Sequence, residues 1–306
     1  MFNFAEKDLR LLKVFTAVVE SGGYTAAQAE MNIGASTISN HMTELEHRLG
    51  AKLCQRGRVG FQLTDKGAVV YEAAKRIFAV IGDFTGEVAG LRGQLTGALN
   101  LGLLDSAITN PLSPVHDAIW RFNQRDNDAR VTVRVEELHV MEKLLFDGQL
   151  NVVVGCFPRK ISGLTYEYVY SERQELYCGR RHPLYEMDPQ SINVQDLSHY
   201  RVVSRSMWMQ TELPRLMVET ASATVNDVLA KSFLIRTGSY IGFLPKHFGD
   251  AWVTTGELKS VLPQVLGWSA AYYIATRKGH AHSLLMDTFL KDFWATLEAA
   301  TIEQEV

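Results

Sequence analysis

The sequence predicts a chain in three parts: an all-α head ending in a β-hairpin wing, a long connecting helix, and a larger α/β domain. Three observations carry this reading. Residues 24–43 hold two short helical patterns separated by a glycine-containing break. From Thr64 to about Arg92, apolar side chains recur in heptads. Beyond Gly97, short β-branched or leucine-rich runs alternate with helix-period segments, the order of a doubly wound sheet.

Thr25 is a candidate N-cap, with Gln28 completing a capping box. Ala26, Ala27 and Ala29 keep that helix thin enough for another to cross it. Met31-Asn32-Ile33-Gly34 breaks the pattern, with Gly34 expected to relax the turn. A second helix is expected over Ala35–Leu49, with Ile38, Met42, Leu45 and Leu49 on one face. Ser36, Thr37, Asn40 and His41 occupy the other, offering short donors and acceptors of the size that meets base edges in a major groove. Two amphipathic helices joined by a turn also occur in proteins that never touch nucleic acid, so this pattern alone leaves both readings open. The segment Arg56-Gly57-Arg58-Val59-Gly60-Phe61-Gln62-Leu63-Thr64 adds a hairpin signal, with two arginines placed to reach phosphates or a minor groove.

Residues 7 to about 64 resemble the winged helix-turn-helix of LysR-type transcriptional regulators. The resemblance rests on Leu9 and Phe15, Gly23-Tyr24-Thr25-Ala26-Ala27, Ser36-Thr37-Ile38-Ser39, Leu45-Glu46, Leu49-Gly50, Leu53, Arg56 and Leu63-Thr64-Asp65-Lys66-Gly67. A length of 306 residues also suits that family. The resemblance implies a regulator that binds double-stranded operator DNA as a homo-oligomer and answers a small-molecule effector. The DNA-contacting candidates are Thr25, Ala35, Ser36, Thr37, Ser39, Asn40, His41, Arg56 and Arg58. Gly34-Ala35 stands where the family commonly has Ser-Gln, and Asn40 where it often has Arg, so base preference does not transfer.

Charge permits DNA binding without announcing it. The net charge is −3, and residues 1–64 hold seven Lys/Arg against six Asp/Glu. A dimer would double the phosphate contacts. Val70, Ala74, Ile77, Ile81, Phe84, Val88 and Leu91 form a heptad seam, which suits either a helix of a second subunit or packing on its own domain; the resemblance favours a dimerisation helix. Gly93, Thr96 and Gly97 follow as a hinge. The resemblance implies a homodimer, and a homotetramer through the sensor domains. No run of eighteen apolar residues and no basic-apolar leader is visible, so a cytoplasmic protein is expected. Cys54, Cys156 and Cys178 form no metal or C-x-x-C pattern. They are expected to be reduced and structural, with a redox pair between Cys156 and Cys178 as the alternative.

In the α/β part, strands are expected at Leu99–Leu103, Val131–Val135 and Val152–Val154, with helices near Pro114–Asn123 and Val140–Phe146. A second unit offers strands at Thr165–Tyr170, Glu175–Cys178, Arg201–Val203, Met217–Thr220 and Tyr240–Leu244, with a helix at Asn226–Arg236. Ser269–Thr276 and His282–Leu297 are a last strand and helix. The resemblance implies a two-lobed, periplasmic-binding-protein-like sensor. The expected organisation is a head at 1–64, a linker and hinge at 65–97, and a sensor at 98–306. Within the sensor, lobe I comprises 98–164 and 266–306, and lobe II comprises 165–265.

Ligands of open α/β sheets collect beyond the carboxyl ends of strands. That rule selects Asp105, Ser106 and Phe157 on one side, and Ser204, Arg205, Ser206, Trp208, Thr224 and Pro245 on the other. Ser106 falls where the family often holds its effector with Ser or Thr. Arg205 and helix N-termini favour an anion, Asp105 opposes one, and Phe157 and Trp208 suit a ring. No nucleophile elbow, phosphate loop or zinc-protease motif is present, and His280-x-His282 lacks further ligands at metal spacing. No cofactor or metal is expected. The competing reading is a small-molecule-binding or enzymatic α/β protein whose N-terminal helices only mediate assembly.

Overall fold

The computed structural model describes residues 3–57, 60–279 and 282–304. Arg58 and His280 therefore lie outside the described residues. The chain divides into two compact units, Met1–Phe84 and Thr85–Val306.

The first unit contains α1 (Glu6–Glu20), α2 (Tyr24–Met31), α3 (Ala35–Leu49), the hairpin of β1 (Cys54–Gly57) and β2 (Gly60–Leu63), and the start of α4 (Asp65–Gly90). Phe15, Val18, Ala27, Ile38, Met42, Leu45, Leu53 and Ala74 close its core. Asp8 is fully buried and does two jobs. It accepts the Ala5 amide at 2.7 Å, capping α1, and receives the Arg48 guanidinium from α3. Arg48 holds this carboxyl below the usual range despite its burial. Glu46 accepts the Leu53 and Cys54 amides and fastens α3 to the wing.

Two local expectations change. The N-cap of α2 is Gly23, at φ +148°, and Thr25 lies within the first turn. Few residues other than glycine enter the helix from that backbone conformation. The left-handed residue of the turn is Asn32 at φ +53°, while Gly34 is extended and precedes α3. Asn is among the non-glycine residues that adopt this region most readily. Thr64 does cap α4: its Oγ1 accepts the Gly67 amide at 2.9 Å and donates to the Lys52 carbonyl at 2.7 Å. A Cβ on Gly67 would sit 2.0 Å from the Leu53 carbonyl oxygen, so only glycine fits there.

The heptad seam divides. Val70, Ala74 and Ile77 pack into the core of their own unit. Ile81, Phe84, Val88 and Leu91 are exposed apolar residues. The seam is thus exposed only over its second half. The turn after α4 uses Gly93 at φ +71°, but Thr96 and Gly97, read as hinge, already belong to the next strand.

The second unit runs β3 (Thr96–Leu103), α5 (Asp105–Thr109), α6 (Val115–Asn123), β4 (Asp128–Arg134), α7 (Leu138–Phe146), β5 (Val152–Gly155) and β6 (Leu164–Gly179). Short 3₁₀ turns lead to β7 (Val203–Arg205), α8 (Met209–Glu212), β8 (Ala223–Val225), α9 (Val228–Arg236), β9 (Ile241–Pro245) and α10 (Lys246–Thr254). β10 (Leu258–Val261), α11 (Pro263–Leu266), β11 (Trp268–Arg277) and α12 (Leu284–Gln304) complete it. The main sheet has the order β10-β6-β11-β5-β3-β4, with β9 also on β6. β3 is parallel to β4 and β5, and the long antiparallel pair β6–β11 joins the two lobes. β7 and β8 form a small parallel sheet in the second lobe.

Residues 165–178, read as two strands, form part of the single strand β6, because Ser171–Gln174 pair with β11 throughout. Met217–Thr220 is not a strand: Met217 is left-handed at φ +55° after a 3₁₀ turn, and the strand falls at β8. Arg201–Val203 shifts by two residues to β7. Cys156 and Cys178 are buried free thiols. Burial raises both, Cys178 to about 12, which disfavours the reactive thiolate.

Candidate nucleic-acid interface and effector cleft

α3 presents two opposed faces. Ile38, Met42 and Leu45 are sealed in the core, while Ala35, Ser36, Thr37 and Asn40 are exposed. Ser39 and His41 are half-buried, and His41 Nε2 is enclosed without a hydrogen-bond partner among the described residues. Thr25 is exposed on α2. The backbone of Arg56 pairs with Phe61 in the wing hairpin, placing that residue one step from the tip.

In the second unit, α5 bolts the lobes together. Asp105 binds Arg205 Nη1 through Oδ1 at 2.9 Å. Its Oδ2 accepts the Val228 amide at 2.6 Å, at the N-terminus of α9. Asp105 therefore already occupies an anion position within its own chain. Ser106 is buried and shares a hydrogen bond with Tyr272. Tyr272 donates to Glu172 Oε2 at 3.0 Å, and Asn110 donates to Oε1 at 2.8 Å. Gln174 adds a third donor to Oε2 at 2.7 Å. His247 of α10 lies 3.8 Å from the same carboxyl and contacts Thr109 at 3.0 Å. Burial pushes Glu172 up to about 7, outweighing its three donors, and it lowers His247.

Two cavities flank this bolt, sharing Pro158. The polar one, about 400 Å³, is lined by Glu137, His139, Glu142 and Arg159 from lobe I and by Arg205, Ser206, Gln210 and Asn226 from lobe II, among others. Arg205 is buried, and its Nε has no partner among the described residues. The aromatic one, about 420 Å³, contains Phe157, Trp208 and Trp268.

The expected site is thus split. Arg205 and Ser206 line one cavity, Phe157 and Trp208 the other. Asp105 and Ser106 are absorbed in the bolt. Ser204 is fully buried and donates to Glu212, which pairs with the buried Lys231. Thr224 is exposed on β8, and Pro245 is buried at the end of β9. Sequence reasoning missed Glu172 because it broke β6 there. Read as one strand, positions 170, 172, 174, 176 and 178 share an inward parity.

A winged helix-turn-helix followed by a two-lobed α/β sensor defines a ligand-responsive regulator of transcription. Residues 9–68 match the family model described as the bacterial regulatory helix-turn-helix protein, lysR family, and residues 92–297 match the LysR substrate binding domain. The chain is 36% identical over 285 residues to the transcriptional activator BauR of Pseudomonas aeruginosa, covering 93% of each. It is 28% identical over 192 residues to the probable regulator LrrA of Synechococcus elongatus, covering 63% of each. In fold it matches the LysR family regulator CbnR with a TM-score of 0.66 at 18% identity, over 94% of this chain and 99% of that one. Full-length OxyR of Pseudomonas aeruginosa matches at 0.62 and 14% identity, over 97% and 96%. The chain belongs to the LysR family: it is a DNA-binding transcription regulator with an effector-binding domain, and not an enzyme. Among the described residues no helix is long and apolar enough to cross a membrane.

Proposed function

We propose that this regulator reads an inverted-repeat operator as a homodimer, assembled further into a homotetramer, with one α3 helix in each half-site. The observation that carries this is the division of α3 into a sealed apolar face and an open face of Ala35, Ser36, Thr37 and Asn40. Ser39 and His41 flank that face, Thr25 approaches from α2, and Arg56 and Arg58 in the wing supply backbone contacts. CbnR, a fold neighbour, has been seen in complex with its target DNA, which supports the reading. Residues 1–64 form the head, 65–97 the linker, and 98–306 the sensor with lobes at 98–164 with 266–306 and at 165–265. The exposed stripe Ile81, Phe84, Val88 and Leu91 pairs the linkers. The protein works in the cytoplasm, where its operator is.

The effector occupies the polar cavity. Arg159, Ser206 and the spare Nε of Arg205 face an anionic group, with Asp105 and Ser106 holding the lobes at its edge. Gel shifts of the purified chain on its own upstream region test the DNA reading. Ser36→Ala and Asn40→Ala should each reduce the preference for operator over random DNA by about 1–3 kcal/mol if they contact bases. Unchanged preference in both folded variants refutes it.

A further inference from the structure

The polar cavity has walls of opposite charge, and their balance says more about its ligand than a single anionic group does. Helix α7 supplies two carboxylates to the lining. Glu137 stands at the N-cap position of α7, yet its side chain makes no capping hydrogen bond. Its ion-pair partner among the described residues is His139 on the same rim, 3.5 Å away. Glu142, further along α7, is half-buried. The Tyr166 hydroxyl donates to it at a long 3.5 Å, and no lysine or arginine pairs with it among the described residues. Burial raises this carboxyl, with no cation nearby to bring it down. Two arginines share the lining. Arg205 is already committed, with Nη1 on Asp105 and Nη2 on the Asn226 carbonyl. Arg159 is exposed and has no ion-pair partner among the described residues. Two carboxylates therefore meet one uncommitted guanidinium. A purely anionic ligand would leave both carboxylates unpaired and add a like charge to a partly desolvated space, which is costly. A purely cationic ligand would leave Arg159 without a counter-ion.

We propose that the effector is a small dipolar molecule, a carboxylate joined to a protonated primary amine, as in an amino acid. The inference rests on the polar cavity's being the effector site and names the chemical class it takes. The ammonium donates to Glu142, with Glu137 as a second acceptor at the rim. The carboxylate accepts from Arg159, and the Ser206 hydroxyl and Gln210 amide of the other lobe complete that end. An ammonium offers three donors and no acceptor, while a carboxylate only accepts, so each end of the ligand meets groups of the complementary kind. The two ends differ in sign and the two walls differ in sign, so the ligand has one favoured orientation. A volume of about 400 Å³ suits a molecule of amino-acid size, at the small end of ligand pockets.

Calorimetry on the full-length chain tests this with alanine, 3-aminopropanoate, 5-aminopentanoate and lysine. Butanoate keeps the carboxylate without the amine, and butylamine the amine without the carboxylate. At least one of the amino acids should bind saturably, one per chain, and about tenfold or more tighter than either control. Glu142→Gln and Arg159→Gln should each weaken it about tenfold or more. Arg215→Gln, in the aromatic cavity, should leave it unchanged. Absence of saturable binding by all the amino acids at millimolar concentration overturns the proposal. Butanoate that binds as tightly as they do, and is weakened by Arg159→Gln alone, overturns the dipolar class while the effector site stands. Amino-acid binding that ignores both Glu142→Gln and Arg159→Gln overturns the class and the site together.

Discussion

Replacing Glu172 with Gln should change how the stability of the sensor depends on pH. Glu172 sits on a strand that links the lobes, with Asn110, Gln174 and Tyr272 donating to it and His247 3.8 Å away. Its burial raises the carboxyl from an ordinary 4.5 to about 7. Between those values the native chain holds a proton that the unfolded chain has released. Stability from this group is therefore fully present below pH 4.5 and is lost as pH rises through 7. At about 1.4 kcal/mol per pH unit, the loss across that window is about 3 kcal/mol. When Glu172 is protonated it can donate to Tyr272, which then donates to Ser106, so the chain of hydroxyls reverses without breaking. All five tryptophans lie in the second unit, so urea denaturation followed by tryptophan fluorescence reports that unit alone. The stability of wild type relative to Glu172→Gln should fall by about 3 kcal/mol from pH 4.5 to 7.5. The lowered His182 and His247 push the other way, but they are common to both proteins and largely cancel. Parallel pH profiles would show that Glu172 is ionised throughout and refute the argument.

Asp105→Ala leaves Arg205 buried without its carboxylate and exposes the α9 N-terminus. The sensor should lose about 3–5 kcal/mol in the same assay, and a loss under about 1 kcal/mol would mean that α5 does not hold the lobes. Gly67→Ala forces a methyl onto the Leu53 carbonyl. It should destabilise the head by about 3 kcal/mol and weaken DNA binding without touching the tryptophan-monitored transition, whereas wild-type operator affinity would show that the contact relaxes freely. Phe84→Asp alters a side chain that is 65% exposed, so the chain should fold normally yet sediment as a smaller species. An unchanged sedimentation coefficient would place the subunit contact elsewhere.

Local signals settled much of this protein from sequence alone. The burial of Ile38, Met42 and Leu45 against the openness of Ser36, Thr37 and Asn40 follows from helical period, which a single segment displays. The cap at Thr64 and the glycine at position 67 belong to one short motif, and each of the strands β3, β4 and β5 is marked by its own apolar run. Tertiary structure decided what depends on residues far apart in the chain. The heptads could not say where their seam leaves its own core, because the same leucine-like surface serves a neighbour in the domain or a second subunit. Continuity of β6 was hidden because Ser171–Gln174 are polar, and only pairing with β11 one hundred residues on explains their extension. The rule of strand carboxyl ends reached Asp105, Ser106, Arg205 and Ser206, yet it could not foresee that Asp105 would fill an anion position itself. That outcome needs Arg205 and the Val228 amide, 100 and 123 residues further along the chain, to converge on one carboxylate. Distances between side chains on separate loops are set by packing of whole lobes, and no spacing within the sequence encodes them.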